Sequence, residues 1–147
     1  MGAEFWSHWV PYQKDLNAAL KELRQREFQA GRFYQPPEMP LGFIARLLRR
    51  QHKPPSTIRQ AIKMSDENGT RSILDITRID GRPGYCTAAV LPPAELVRLF
   101  GSDQPTHAAI EESEELLEGI ERGHGVCIIA YKDGKPDEIY FAGYSFD

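Results

Sequence analysis

Cysteine is scarce in this sequence: among 147 residues there are two, Cys86 and Cys127. Two thiols cannot brace a disulfide scaffold, and without clustered histidines they cannot complete a four-ligand zinc site. Both read as free, buried thiols, and no cofactor is expected. Long apolar runs are missing as well. The longest clean stretch, Val126 to Tyr131, falls far short of the roughly 20 residues a membrane-spanning helix needs. Met1 to Tyr12 carries Glu4 early and has neither a basic lead nor an apolar stretch of secretory length, so no signal peptide is expected and the predicted location is cytoplasmic. Gly2 opens no myristoylation pattern, because Trp6 stands where that pattern needs Ser or Thr.

A surplus of positive charge is absent too. Lys and Arg total 18 against 21 Asp and Glu, a formal net charge of -3. That balance argues against a general binder of nucleic acid or anionic membrane, which needs a concentrated positive field. The sequence has no phosphate-binding glycine loop, no G-x-S-x-G elbow, no H-E-x-x-H and no C-x-x-C. The nearest approach to a nucleophile and its base is Cys127 with His124, but a thiol inside an apolar strand is more often an inert core group.

What is present is an ordinary globular composition, 41% hydrophobic and 27% charged, in a length that suits one core. The pattern predicts a single α+β domain over residues 1–147. Phe5 to Val10, aromatic and β-branched, reads as a strand ended by Pro11. Asp15 caps a helix in which Leu16, Leu20, Leu23 and Phe28 recur and which Gly31 stops. Residues 32–55, with five prolines, form a surface excursion around a short helical pattern of Ile44, Leu47 and Leu48. Ser56 then caps a helix carrying Ile58, Ala61 and Ile62 on one face, which Asn68-Gly69 ends.

Two hairpins are expected. Ser72 to Ile79 and Tyr85 to Val90 form the first; Val126 to Tyr131 and Glu138 to Ser145 form the second around Asp133-Gly134, with Lys135 and Pro136 lengthening its loop. Between them, Pro92-Pro93 opens a short helix bearing Leu96, Val97, Leu99 and Phe100, closed by Gly101. Thr106 caps another running toward Arg122, with Ile110, Leu116, Leu117 and Ile120 inward and Gly123 at its stop. The result is one mixed, mostly antiparallel sheet of two hairpins and the N-terminal strand, packed with four to five helices. Apolar residues on both parities of Ser72 to Ile79 and of the second hairpin require both sheet faces to be covered, either by these helices or by a symmetric homodimer.

Several clusters carry potential chemistry. Trp6, Ser7, His8, Trp9 and Tyr12 could stack a ring-shaped ligand while His8 exchanges a proton, although alternation sends Trp6 and His8 to one side and Phe5, Ser7 and Trp9 to the other. A strand anchored by two tryptophans is the simpler reading. Asp75, expected on a strand covered on both sides, needs partners; Arg71 and Arg78 could neutralise it, or it could serve as a general base or orient a ligand. Gly143, between aromatics near Tyr144, marks a bulge or a close approach. Arg46, Arg49, Arg50, His52 and Lys53 form the only basic run, with Phe43 the one nearby stacking aromatic. Its counterpart is the acidic series Glu111, Glu112, Glu114, Glu115, Glu118 and Glu121, whose like charges at helical spacing repel slightly.

The expectation drawn from these features is a non-catalytic protein-binding or regulatory module of adaptor or immunity type. Its partner contacts would be Arg46, Arg49, Arg50, Glu111, Glu112 and Glu115, engaging another protein or a second copy. The alternative is a small enzyme or ligand-binding domain whose pocket gathers Trp6, His8, Arg71, Asp75 and Tyr144. Nucleic-acid binding through the basic run is a weaker third reading.

Overall fold

A computed structural model describes residues 3–35, 54–65 and 69–146. Most of the expected excursion over 32–55 lies outside those residues. In chain order the elements are β1 (Phe5–Pro11), α1 (Leu16–Gln29), α2 (Ile58–Ser65), a 3-10 turn (Ile73–Asp75), β2 (Arg78–Asp80), β3 (Thr87–Val90), α3 (Pro93–Phe100), α4 (His107–Glu111), α5 (Glu114–Glu118), β4 (Gly125–Lys132) and β5 (Lys135–Tyr144). The strands form one sheet in the order β1-β5-β4-β3-β2. The fold is therefore α+β with a mixed sheet, as the patterning predicts.

The sheet is built on the β4–β5 hairpin. Asp133 and Gly134 have φ of 52° and 74°, the pair of left-handed residues that a two-residue primed turn demands. Lys132 pairs directly with Lys135, so Lys135 and Pro136 belong to the strand and do not lengthen the loop. Pro136 sits where the register shifts beside Tyr131, an irregularity that tolerates a residue unable to donate to a ladder. On the far side of β5, β1 pairs antiparallel from Phe5 opposite Tyr144 to Pro11 opposite Glu138.

The expected first hairpin is not one. β2 and β3 run parallel, with Arg78 opposite Thr87, and β3 runs parallel to β4. The physical cause lies in Ser72 to Asp75, where side chains take the backbone donors that a strand would have offered to its neighbour. Ser72 accepts from the Leu74 N–H at 3.2 Å and Asp75 from the Thr70 N–H at 2.7 Å, which tightens Ile73–Asp75 into a 3-10 turn and delays β2 to Arg78. Cys86, left-handed at φ 57°, delays β3 to Thr87. The six residues between return the chain to the end where β2 began, and the Cys86 carbonyl accepts there from the Thr77 N–H at 2.9 Å.

Helix ends follow their caps. Asp15 accepts from the Ala18 N–H, and Gly31 turns left-handed at φ 71°. Thr57, one residue beyond the expected Ser56, caps α2 by accepting from the Gln60 N–H at 3.2 Å. The helix expected from Thr106 to Arg122 is two short ones. Thr106 caps α4 as predicted, but Ser113 accepts from the Leu116 N–H and starts α5 afresh.

Helices of the chain itself lie on both faces of the sheet. On the first, Leu20 and Leu23 of α1 and Ile73 of the 3-10 turn pack with Trp6, Val10, Cys127, Ile139 and Phe141. On the second, Ile110 and Leu116 pack with Val126, Ile128, Ala130, Tyr140 and Ala142, joined by half-buried Trp9, Leu96, Leu99, Phe100 and Ile120. Trp6 pairs with Gly143, and Gly143 pairs with Gly125. A Cβ on residue 143 would lie 2.3 Å from Trp6 Cζ2 and 2.5 Å from the His124 oxygen. The indole thus occupies the room that two glycines leave, an aromatic covering a glycine pair. Among the described residues, no helix is long and apolar enough to cross a membrane.

Gly143→Ala forces Trp6 from its rotamer or β5 from its neighbour. It should cost about 1–3 kcal/mol, as overpacking a dense core does, read as a lower urea midpoint with an unchanged slope.

Candidate functional site

The five residues considered as a ligand pocket are distributed over the sheet. Trp6 and His8 lie on the first face, their rings 6.3 Å apart. Tyr144 lies against Phe5, with ring centroids 5.4 Å apart, on the opposite face by strand alternation. Arg71 and Asp75 share one loop. The Arg71 guanidinium reaches Glu4 at 3.3 Å and lies 4.3 Å above the Tyr34 ring, while Arg78 donates to Thr87 Oγ1 at 2.9 Å.

Asp75 is buried, at the end of the 3-10 turn and not within a strand. Its Oδ1 accepts from both the N–H and the hydroxyl of Thr70, each at 2.7 Å. Oδ2 has no hydrogen-bond partner among the described residues, and a Cβ on Gly69 would come within 2.9 Å of it. Burial raises the Asp75 pKa, opposed by the donors of Thr70, Ser72 and Arg71. The carboxylate also acts on Arg24, whose guanidinium donates to the Leu74 carbonyl at 2.8 Å.

A second buried carboxylate escaped the sequence reading. Glu27 is 2% exposed and sits in the last turn of α1, where a negative charge opposes the helix dipole. Two guanidinium groups and an imidazole converge on it: Arg32 donates at 3.0 Å from Nη2 and again from Nε, Arg26 Nε donates at 3.2 Å, and His8 Nδ1 stands 3.8 Å away. The Arg32 hydrogen bonds hold the Glu27 carboxyl below its usual range against the cost of burial. Burial pulls the His8 pKa down, and Glu27 only partly restores it. The signal was legible, because residue 27 continues the apolar stripe of Leu16, Leu20 and Leu23.

Of the residues considered for partner contact, Arg46, Arg49 and Arg50 lie outside the described residues. Glu111 accepts from Trp9 Nε1, and Glu115 accepts from Arg98 at 2.6 Å. Arg98 also holds Glu95 of α3, and His107 bonds Glu138 at 2.6 Å while stacking on Trp9 at 3.8 Å. Glu112, Glu114, Glu118 and Glu121 are exposed and have no ion-pair partner among the described residues. Beside them lies α3, in which no residue is fully buried: Leu96, Leu99 and Phe100 are half-covered, and Val97 is 49% exposed. Half-buried Ile120 belongs to the same cluster as Leu96, Leu99 and Phe100. Partly covered apolar residues of α3 thus lie beside the acidic series, joined to it through Arg98 and Glu115.

Neither thiol is activated. Burial pushes Cys127 up to about 12, and burial followed by the Asp75 charge raises half-buried Cys86. Comparison with protein-family models, curated proteins and solved structures finds no match to this chain.

Two measurements check the buried charges. In a double-mutant cycle, Thr70→Val and Asp75→Ala should show a coupling of about 1–3 kcal/mol in unfolding free energy, the worth of a buried bond to a charged group. His8, depressed below its ordinary 6.5, binds a proton more readily when unfolded. Its contribution is therefore fully present above pH 6.5 and is lost as pH falls through the folded value. An NMR titration should place His8 below 6.5, and His8→Asn should flatten the loss of stability just under that pH.

Proposed function

We propose that this chain is a non-catalytic protein-binding module of adaptor or immunity type, and that it receives its partner on the face made by α3, α4 and α5. The observation that carries the reading is α3 itself. An eight-residue helix with four large apolar side chains would ordinarily sink at least one of them completely into its own core. Here all four keep surface in water, and half-buried Ile120 joins Leu96, Leu99 and Phe100 in one cluster. Contiguous apolar surface rimmed by polar groups is the usual form of a docking site.

The chemistry elsewhere is consistent with this role. Both thiols are held protonated, and Glu27 and the Oδ1 of Asp75 are tied to the chain's own donors. Two free cysteines suit a reducing compartment, the cytoplasm in the first instance.

The test is reconstitution. A partner captured by photo-crosslinking at position 97 should, when purified, form a complex of fixed stoichiometry by calorimetry. Val97→Asp should weaken that complex at least about 30-fold, roughly 2 kcal/mol, without changing the melting temperature of the free chain. A complex that ignores Val97→Asp, or one that maps to the α1 face, would remove the reading.

A further inference from the structure

We infer that the segment seated on this face is a basic amphipathic helix, its apolar side on α3 and its Lys and Arg side chains among the glutamates of α5; the inference rests on the protein-binding reading above. The first argument is charge. Between residues 111 and 121 there are six Glu and no Lys or Arg. Trp9 and Arg98 engage two of these, Glu111 and Glu115. The other four share one sign, and Glu114 and Glu118 of α5 stand four residues apart on the helix, a spacing at which like charges repel. Cations from a partner would relieve that repulsion, while an acidic partner would add to it.

The second argument is the kind of contact this face offers. Among the described residues this face is built from helices and carries no strand edge, so a strand added by main-chain bonds finds no ladder there. Side chains alone make the recognition, apolar anchors flanked by carboxylates, which is the helix-on-apolar-surface mode. α3 extends about 12 Å, so a partner helix of about three turns covers it and reaches α5.

The third argument comes from the face's own ion pairs. Arg98 binds Glu95 and Glu115 at once, and imidazole His107 binds Glu138. Carboxylates here already take planar nitrogen donors at hydrogen-bonding distance, and a partner's guanidinium would meet Glu114 and Glu118 by the same chemistry.

The experiment titrates the full chain with three synthetic helices of about 16 residues lacking Trp, a length giving measurable helicity. One has a Leu face and Lys/Arg elsewhere, one the same Leu face with Glu elsewhere, and one the Lys/Arg content scrambled to destroy the apolar face. Calorimetry gives stoichiometry, and the emission of Trp9, half-buried on this face while Trp6 is buried on the other, reports location. The basic amphipathic peptide should bind one to one, and more weakly by about tenfold or more between roughly 50 and 500 mM salt. Val97→Asp should abolish binding. Glu114→Lys with Glu118→Lys should weaken it at least about tenfold and admit the Glu peptide instead, with unchanged circular dichroism and melting temperature in both variants.

Failure of the basic peptide to bind, binding that survives Val97→Asp, or equal binding of the scrambled peptide would overturn the inference. If the Glu peptide binds the unaltered chain and Val97→Asp abolishes that binding, the basic partner is wrong while the module reading stands. A dimer of the free chain in sedimentation equilibrium, dissolved by Val97→Asp, would assign the face to a second copy and overturn the inference as well.

Discussion

Trp6 lies where β1, β5 and β4 meet, and the rest of the sheet depends on that placement. Its indole covers Gly143 directly opposite and Gly125 one strand further on. No other residue pair along these strands leaves such room, so sliding β1 by one position would drive the ring into a neighbour and reverse every side chain of the strand. Parity is thereby fixed. Val10 falls into the α1 side of the core, and Trp9 falls to the other side, against Tyr140 and His107.

The two faces then diverge in character. The α1 side is dense and holds its polar groups inside: Glu27 with Arg26, Arg32 and His8, and Asp75 with Thr70. Burying a carboxylate costs less where donors replace its water; Arg26 and Arg32 supply them to Glu27, while Thr70 supplies them to Oδ1 of Asp75 and leaves Oδ2 without one among the described residues. The α3–α5 side holds its charge on the outside and leaves its apolar residues half-covered. One face serves chiefly to hold the molecule together, and the other has surface to spare.

Much of this was legible from residue types. Asp15 and Gly31 bounded α1, Asp133-Gly134 turned the central hairpin, and apolar residues on both parities of β4 and β5 announced a sheet covered twice. Two of the departures share one cause. Ser72, Asp75 and Ser113 each use a short polar side chain to seize backbone donors a few residues away, turning a predicted strand into a 3-10 turn and one predicted helix into two. Periodicity sees only the apolar residues and passes over these. Glu27 differs: its place on the apolar stripe of α1 is written in the sequence, but only the fold brings His8 to it. The separation of Trp6 and His8 from Trp9 followed from alternation, whereas the face taken by Tyr144 depends on the β1–β5 register and the loose seating of α3 is a tertiary property that its composition does not reveal.

The pairing of β1 with β5 also bears on how the chain folds. Glu4 and Ser145 exchange two bonds, the Ser145 N–H to the Glu4 carbonyl at 2.9 Å and the Glu4 N–H to Ser145 Oγ at 2.8 Å, across almost the whole described length. β1 therefore has no strand partner until β5, the last strand in chain order, is available, and until then Trp6 has no glycine pair to cover. Closing so long a loop is an entropic barrier that local contacts cannot lower in advance. Docking of β1 is therefore a late step in assembling the sheet, and it brings Trp6 onto the same core that Leu20 and Leu23 of α1 join.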